Sequence, residues 1–159
     1  MQVPPAHSET RWAMIYVTAA EEQTSLSADK QMKAGLKVKP RIVIRVVQSP
    51  KSNINFKGAL SNLKEVTEAK DTLRTFQVKI SNTGDKLIDS KVYLVLSDLQ
   101  TAKEIKAKPE RVTVFPGNIR IVKLTMPANV PSGKYSLAAI LDYGNNSTLE
   151  AVQMNVEVK

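Results

Sequence analysis

The sequence predicts an all-β protein, and three observations support that fold class. Short segments alternate apolar and polar residues with the period of two that is typical of a half-buried strand. Turn signals built from Gly, Pro, Asn and Asp separate these segments at a spacing of roughly ten residues. Residues 51–159 contain no convincing amphipathic helix. A chain of 159 residues is long enough for one domain, or for one domain and part of another.

Two strands are predicted in the first third of the chain, with a long loop between them. Residues 11–17 form a short apolar and aromatic run, which favours a strand. Residues 18–35 are polar and show no clear period, which is typical of an exposed loop. Residues 36–47, LKVKPRIVIRVV, place a wholly apolar face opposite a largely basic one. The apolar face comprises Leu36, Val38, Pro40, Ile42, Ile44 and Val46.

The rest of the chain is predicted to hold roughly six or seven short strands. Their inward-facing residues are expected to be Phe76, Val78 and Ile80; Val92, Leu94 and Leu96; Val122, Leu124 and Met126; Tyr135, Leu137, Ala139 and Leu141; and Val152, Met154, Val156 and Val158. The segment NTGDK, residues 82–86, is predicted to form a turn in which Gly84 is free to take a positive φ.

A boundary is predicted at Pro50, where a proline and several polar residues interrupt the strand pattern. It divides the chain into residues 1–50 and 51–159. The second part, about 109 residues, is close to the size of one immunoglobulin-like domain. The expected architecture is an immunoglobulin-like β-sandwich preceded by a partial first sandwich domain of two strands and a long loop. Tyr135 follows a Pro-x-Gly turn, and two alternative environments are expected for it: a tyrosine corner or an ordinary half-buried position.

The available side chains limit the chemistry. The chain has no Cys and one His, His7, which argues against disulfides, Zn sites and Ser-His-Asp or Cys-His catalysis. Four carboxylates lie near strand ends, and turn chemistry is the favoured interpretation over acid–base or calcium-binding roles. They are Asp85, Asp89, Asp98 and Asp142. We therefore expect no enzyme activity, no metal and no cofactor.

The charge distribution is uneven. The net charge is +8, and residues 30–64 hold nine Lys or Arg and no Asp or Glu. A basic tract can indicate nucleic-acid binding, but this one alternates with apolar residues and contains a single aromatic, Phe56. A solvated strand face is the favoured interpretation, so no nucleic-acid partner is expected. No apolar run is long enough to insert into a membrane.

The apolar face of residues 36–47 needs a cover. Burial of its five aliphatic side chains is worth roughly 7–15 kcal/mol, as much as the stability of a whole domain. Two strands alone are marginal in water. Missing strands of the same chain, a second copy, or another protein are the three candidate covers.

Several segments, in this order, resemble the periplasmic pilus (fimbrial) assembly chaperones. KPRIVIRVVQSP is similar to the last strand of that family's first domain and the linker that follows it. FQVKISNTGDKLIDSKVYLVL, VTVFPGNIRIVKL and LAAILDYGNNSTLEAVQMNV resemble segments of its second domain. The resemblance implies the C-terminal portion of such a chaperone, without most of the first domain and without the export signal.

The resemblance also implies a site and partners. The donor strand, which would complete a pilus subunit, would use Leu36, Val38, Ile42, Ile44 and Val46. Arg41 and Arg45 would be candidates to anchor the subunit's C-terminal carboxylate. The implied partners are pilus or fimbrial subunits and an outer-membrane usher, in the periplasm. The alternative is an immunoglobulin-like structural or adhesion module that forms a homodimer through the same exposed strand.

Overall fold

The computed structural model describes residues 9–19, 39–144 and 149–159. The chain divides into two compact units, one formed by Arg11–Gln48 and the other by Ser49–Lys159 with the described residues before Arg11. The described residues form strands and no helix, so the predicted all-β class is confirmed, and they contain no helix able to span a membrane. The predicted division into domains at residue 50 stays a prediction.

Ten strands follow in chain order. They are β1 (Arg11–Thr18), β2 (Arg41–Gln48), β3 (Gly58–Glu65), β4 (Thr75–Asn82), β5 (Ile88–Asp98), β6 (Glu104–Lys106), β7 (Glu110–Val114), β8 (Ile119–Thr125), β9 (Gly133–Asp142) and β10 (Glu150–Val158).

The smaller unit is an antiparallel ribbon of β1 and β2, with Ile15 opposite Ile44 at its centre. Among the described residues, neither strand pairs with a third. β2 begins at Arg41, later than the predicted start at Leu36, and Pro40 lies outside the strand. Proline has no N–H for a strand ladder, which agrees with its position just before β2. Leu36 and Val38 lie outside the described residues.

The larger unit contains two sheets that share one apolar core. One sheet has the order β3-β4-β8; the other has the order β10-β9-β5-β6, with β7 also paired to β5. Side chains from both sheets are fully buried in the same cluster, including Phe76 and Ile80 from the first and Leu94 and Leu137 from the second. The predicted period of two accounts for this core, because alternate residues of a strand point to the same face of a sheet.

Asn82 connects the two sheets through its buried side chain. Its amide nitrogen donates hydrogen bonds to the carbonyls of Lys86 and Val114, at 2.8 and 2.9 Å. Its amide oxygen accepts a hydrogen bond from the Gly84 N–H at 3.1 Å. One side chain at the end of β4 therefore fixes the segment that leads into β5 and the end of β7.

Gly84 does not use its freedom to take a positive φ, and the turn requires a glycine here for space. A Cβ at this position would lie 2.5 Å from the Asn55 carbonyl oxygen and 2.8 Å from the Lys57 nitrogen. Its N–H donates to the Lys57 carbonyl at 3.0 Å. The turn thus packs directly against the neighbouring backbone, and the absent side chain is what permits that approach.

Tyr135 adopts the tyrosine-corner arrangement that was one of its two predicted environments. Its side chain is 1% exposed, and its hydroxyl donates a 2.9 Å hydrogen bond to the carbonyl of Pro131. The bond ties the beginning of β9 to the turn that precedes it.

Two strands were not predicted. β3 contains a register shift between Ser61 and Lys64 and a positive φ of 53° at Asn62, and such a bulge interrupts the period of two. β6 is only three residues long, too short for any alternation to be recognised.

We predict that Asn82→Asp destabilises the protein by at least about 3 kcal/mol, because it replaces a double donor by a buried carboxylate that faces two carbonyls. Chemical denaturation measures the loss. The same change at exposed Asn118, in the adjoining turn, is the control and should alter stability by no more than about 0.5 kcal/mol. A loss below about 1 kcal/mol for Asn82→Asp would contradict this role for the side chain.

Candidate functional site

One face of the β1–β2 ribbon is apolar except at one end, where the cross-strand pair Arg11 and Gln48 lies. The apolar part, called here the apolar face, comprises Ala13, Ile15, Val17, Ile42, Ile44 and Val46. Four of its side chains are about half exposed: Ile15 by 50%, Val17 by 48%, Ile42 by 63% and Ile44 by 47%. Contiguous exposed apolar surface of this kind typically marks an interaction site. Three residues of the predicted site, Ile42, Ile44 and Val46, are thus brought together here.

The predicted anchoring residues Arg41 and Arg45 lie on the opposite face. They are cross-strand partners of Thr18 and Met14, and the Arg41 guanidinium carbon lies 5.9 Å from the centre of the Tyr16 ring. This mixed face combines cations with aromatic and apolar side chains. The structure therefore separates the two arginines from the apolar face, and their anchoring role stays a prediction.

A second candidate site lies at one end of the β10-β9-β5-β6 sheet. It is a shallow groove of about 310 Å³ on the outer face, where β5 begins and β9 ends. The groove is lined by Asp89, Ser90, Lys91, Pro109, Arg111, Asp142, Tyr143 and Gly144. Strand register brings the charged residues together, because Lys91 is the cross-strand partner of Arg111 on one side and of Asp142 on the other.

Asp89 and Arg111 form a two-pronged ion pair in this groove. The guanidinium donates from Nε to Oδ1 at 2.9 Å and from Nη2 to Oδ2 at 2.7 Å. The hydrogen bond to Asp89 raises the pKa of Arg111. Both groups are exposed, so the pair contributes little to stability, but its fork geometry fixes both side chains.

Asp142 and Tyr143 form the other side of the groove. The Asp142 Oδ1 accepts a 2.8 Å hydrogen bond from the Gly144 N–H, and Gly144 has a φ of 72°. The Tyr143 hydroxyl oxygen accepts a 2.6 Å hydrogen bond from the Gly58 N–H. Burial raises the pKa of the Tyr143 phenol more strongly than this hydrogen bond lowers it. The hydrogen bond from Gly58 thus holds the Tyr143 side chain against the core, beside the groove.

Sequence reasoning identified Asp89 and Asp142 individually and did not group them. They are 53 positions apart, by subtraction of their numbers, and only the β5–β9 register places them at the same end of one sheet. Turn chemistry is confirmed for Asp142. Asp89 is instead the second residue of β5. Among the described residues, no three potential ligands are grouped closely enough to hold a metal ion.

The structure is similar in fold to parts of several solved proteins. No family model matches the sequence, and no curated protein matches it. The fold is similar to part of a β-D-glucoside glucohydrolase from Trichoderma reesei, with a TM-score of 0.50 and 14% identity over 65% of this chain. β-Glucosidases from intestinal bacteria and from Erythrobacter marinus match with TM-scores of 0.48 and 0.46, at 18% and 15% identity over 64% and 63% of the chain.

The match covers only a small part of each enzyme. This chain spans 19% of the Trichoderma protein, 16% of the intestinal bacterial protein and 15% of the Erythrobacter protein. At such low identity the likeness is one of fold.

These comparisons correct three expectations from the sequence. The pilus-chaperone family and its subunit-binding function are contradicted, because the similar fold is that of a β-D-glucoside glucohydrolase and no family model or curated protein supports a chaperone. The expected absence of enzyme activity is contradicted by the same neighbour. The periplasmic location and the partners inferred from that resemblance have no independent test.

We predict that Gly58→Ala destabilises the protein by about 1–3 kcal/mol through overpacking. A Cβ at this position would lie 2.5 Å from the Tyr143 hydroxyl oxygen and 2.9 Å from Leu141 Cδ2. Tyr143→Phe removes the nearer atom, so the double variant should be more stable than the sum of the two single effects, by at least about 0.5 kcal/mol. Chemical denaturation of all four proteins gives the coupling energy. Additive effects would mean that Tyr143 does not restrict this position.

Proposed function

We propose that this chain is an immunoglobulin-like β-sandwich module of a larger carbohydrate-acting assembly, and that the apolar face of the β1–β2 ribbon docks it there. The observation that carries the proposal is the ribbon itself. Among the described residues, neither strand of the ribbon pairs with a third, and Ile15, Val17, Ile42 and Ile44 of the apolar face remain about half exposed. A ribbon of this kind is marginal in water without a covering layer.

The strand order of the larger unit supports the immunoglobulin-like assignment. In that fold, strands A, B and E share one sheet, and C, F and G share the other. β3, β4 and β8 correspond to the first set, and β5, β9 and β10 correspond to the second. Tyr135 near the start of β9 matches the tyrosine corner at the start of strand F. β7 departs from the common pattern because it pairs with β5.

The similar fold in the Trichoderma reesei glucohydrolase supports the class of assembly. In that enzyme the matched part is 19% of the chain, so the fold occurs there as one part of a larger protein. One part of a larger protein is expected to have an apolar surface that a neighbouring part covers. Covering the four half-exposed residues would contribute roughly 3–6 kcal/mol, taking half of the full burial value for each.

The occupant we favour is a further β-sheet of the assembly. An apolar sheet at the usual separation of about 10 Å would complete a second sandwich with the ribbon. A second copy of this chain, which would give a homodimer through the exposed strand, is the competing occupant.

We predict that Ile44→Lys prevents docking, whereas Val43→Lys permits it. The two residues are neighbours with similar exposure, 47% and 52%, but they lie on opposite faces of β2. A lysine on the apolar face would be buried without a partner, while the mixed face already carries Arg41 and Arg45. Hydrogen exchange of the Ile42–Val46 amides in the native gene product, purified from its own cells, measures docking.

The expected result is slow exchange for the unaltered protein and for Val43→Lys, and fast exchange for Ile44→Lys. Hydrolysis of an aryl β-glucoside should be found in the same purified fraction. A monodisperse species of 17.5 kDa, the mass of this chain, with fast exchange would overturn the docking proposal. Slow exchange in a species of twice that mass would assign the face to a second copy. Slow exchange without glucoside hydrolysis would overturn the carbohydrate-acting assembly.

A further inference from the structure

We infer that the groove between Asp89 and Asp142 binds a neutral, hydroxyl-rich ligand, namely one or two rings of a sugar. Its charged residues balance: Asp89 and Asp142 oppose Lys91 and Arg111. A hydroxyl group both donates and accepts hydrogen bonds, so a sugar pairs with carboxylates and cations in the same groove. The inference does not depend on the ribbon, and either proposal can fail alone.

Hydrogen bonds hold the side chains of Asp89, Arg111 and Asp142 before a ligand arrives. Arg111 engages Asp89 through Nε and Nη2, so its Nη1 donors take no part in that pair. Asp142 uses Oδ1 to accept the Gly144 N–H, and its Oδ2 takes no part in that bond. Lys91 lies between them in the strand register. Fixed donors and acceptors at one end of a rigid sheet lower the entropy cost of binding.

Apolar surface beside the charged floor suits the rest of a sugar ring. Pro109 borders the floor and offers apolar surface to the C–H face of a ring, while the floor pairs with its hydroxyl edge. Tyr143 also lines the groove, and its side chain packs toward the core, where its hydroxyl accepts the Gly58 N–H and its ring contacts the Phe56 ring, whose centre lies 6.0 Å away. The groove volume of about 310 Å³ lies at the lower end of the range for small-molecule sites.

Ionic ligands fit the groove less well. An anion would approach two carboxylates, and a cation would approach Lys91 and Arg111, so each would meet repulsion together with attraction. A metal ion also lacks a ligand set, since the described residues contain no group of three suitable side chains. Charge balance therefore favours a neutral polar molecule.

Titration of the 159-residue chain with cellobiose, followed by NMR shifts of its backbone amides, tests the inference. Shifts are expected at residues 89–91, 110–111 and 142–144, with binding in the millimolar range. Lys91→Ala should weaken binding at least about tenfold, because it removes a charged hydrogen-bond donor. Lys134 lies on the same face of β9 as Asp142, at the opposite end of the strand. Lys134→Ala is therefore the matched control and should leave binding unchanged.

Several results would overturn the inference. One is the absence of shifts in these three segments at high cellobiose concentration. Another is equal weakening by Lys91→Ala and Lys134→Ala. A third is the same set of shifts at lower concentrations of inorganic phosphate or Ca²⁺, which would define an ionic site. Lys91→Gln, which keeps a neutral donor, should bind cellobiose more tightly than Lys91→Ala, and thermal unfolding of each variant confirms that the fold is retained.

Discussion

The larger unit depends on the hydrogen bonds that the buried side chain of Asn82 makes. It satisfies one carbonyl and one N–H of the turn that follows it, at Lys86 and Gly84, and the carbonyl of Val114 in β7. Its backbone also pairs with the turn at residues 117 and 118. A buried amide with all these groups satisfied specifies one arrangement, because any other leaves polar groups without partners in a low-dielectric interior. The paired ends of β5 and β7, Ile88 opposite Val114, therefore have a fixed position.

The fixed position of these strand ends also determines where the charged residues of the groove lie. Asp89 follows Ile88 directly, and Arg111 lies three positions before Val114 on the paired strand. The ladder that begins at the Asn82 contacts thus sets where the Asp89–Arg111 pair lies. Gly84 and Gly58 act in the same region by permitting close approach: the first to the backbone around Lys57, and the second to Tyr143. The hydrogen bonds of Asn82 and the close approaches at Gly84 and Gly58 together position the charged end of the sheet.

Alternation in the sequence predicted most of the core strands and the apolar face of β2, since both follow from the period of two, whereas β1 was predicted from an apolar and aromatic run. Phe76, Leu94 and Leu137 were expected to face inward and are fully buried. The same rule failed at β3, where Asn62 interrupts the period, and it could not group Asp89 with Asp142, because register is a tertiary property. The family resemblance rested on short motifs in order, and alternating strands with Asn and Gly turns recur in many β-sandwiches with unrelated functions.

The two units differ in how much apolar surface each one buries within itself. The larger unit buries Phe76, Ile80, Leu94 and Leu137 completely against one another, whereas every residue of β1 is exposed. Apolar contact contributes in proportion to the area removed from water, so the ribbon gains most of its stabilisation only when another layer covers it. Its order is therefore coupled to binding: the partner that covers the apolar face also stabilises the ribbon. The larger unit needs no such cover, which is why the groove can bind a ligand independently of docking.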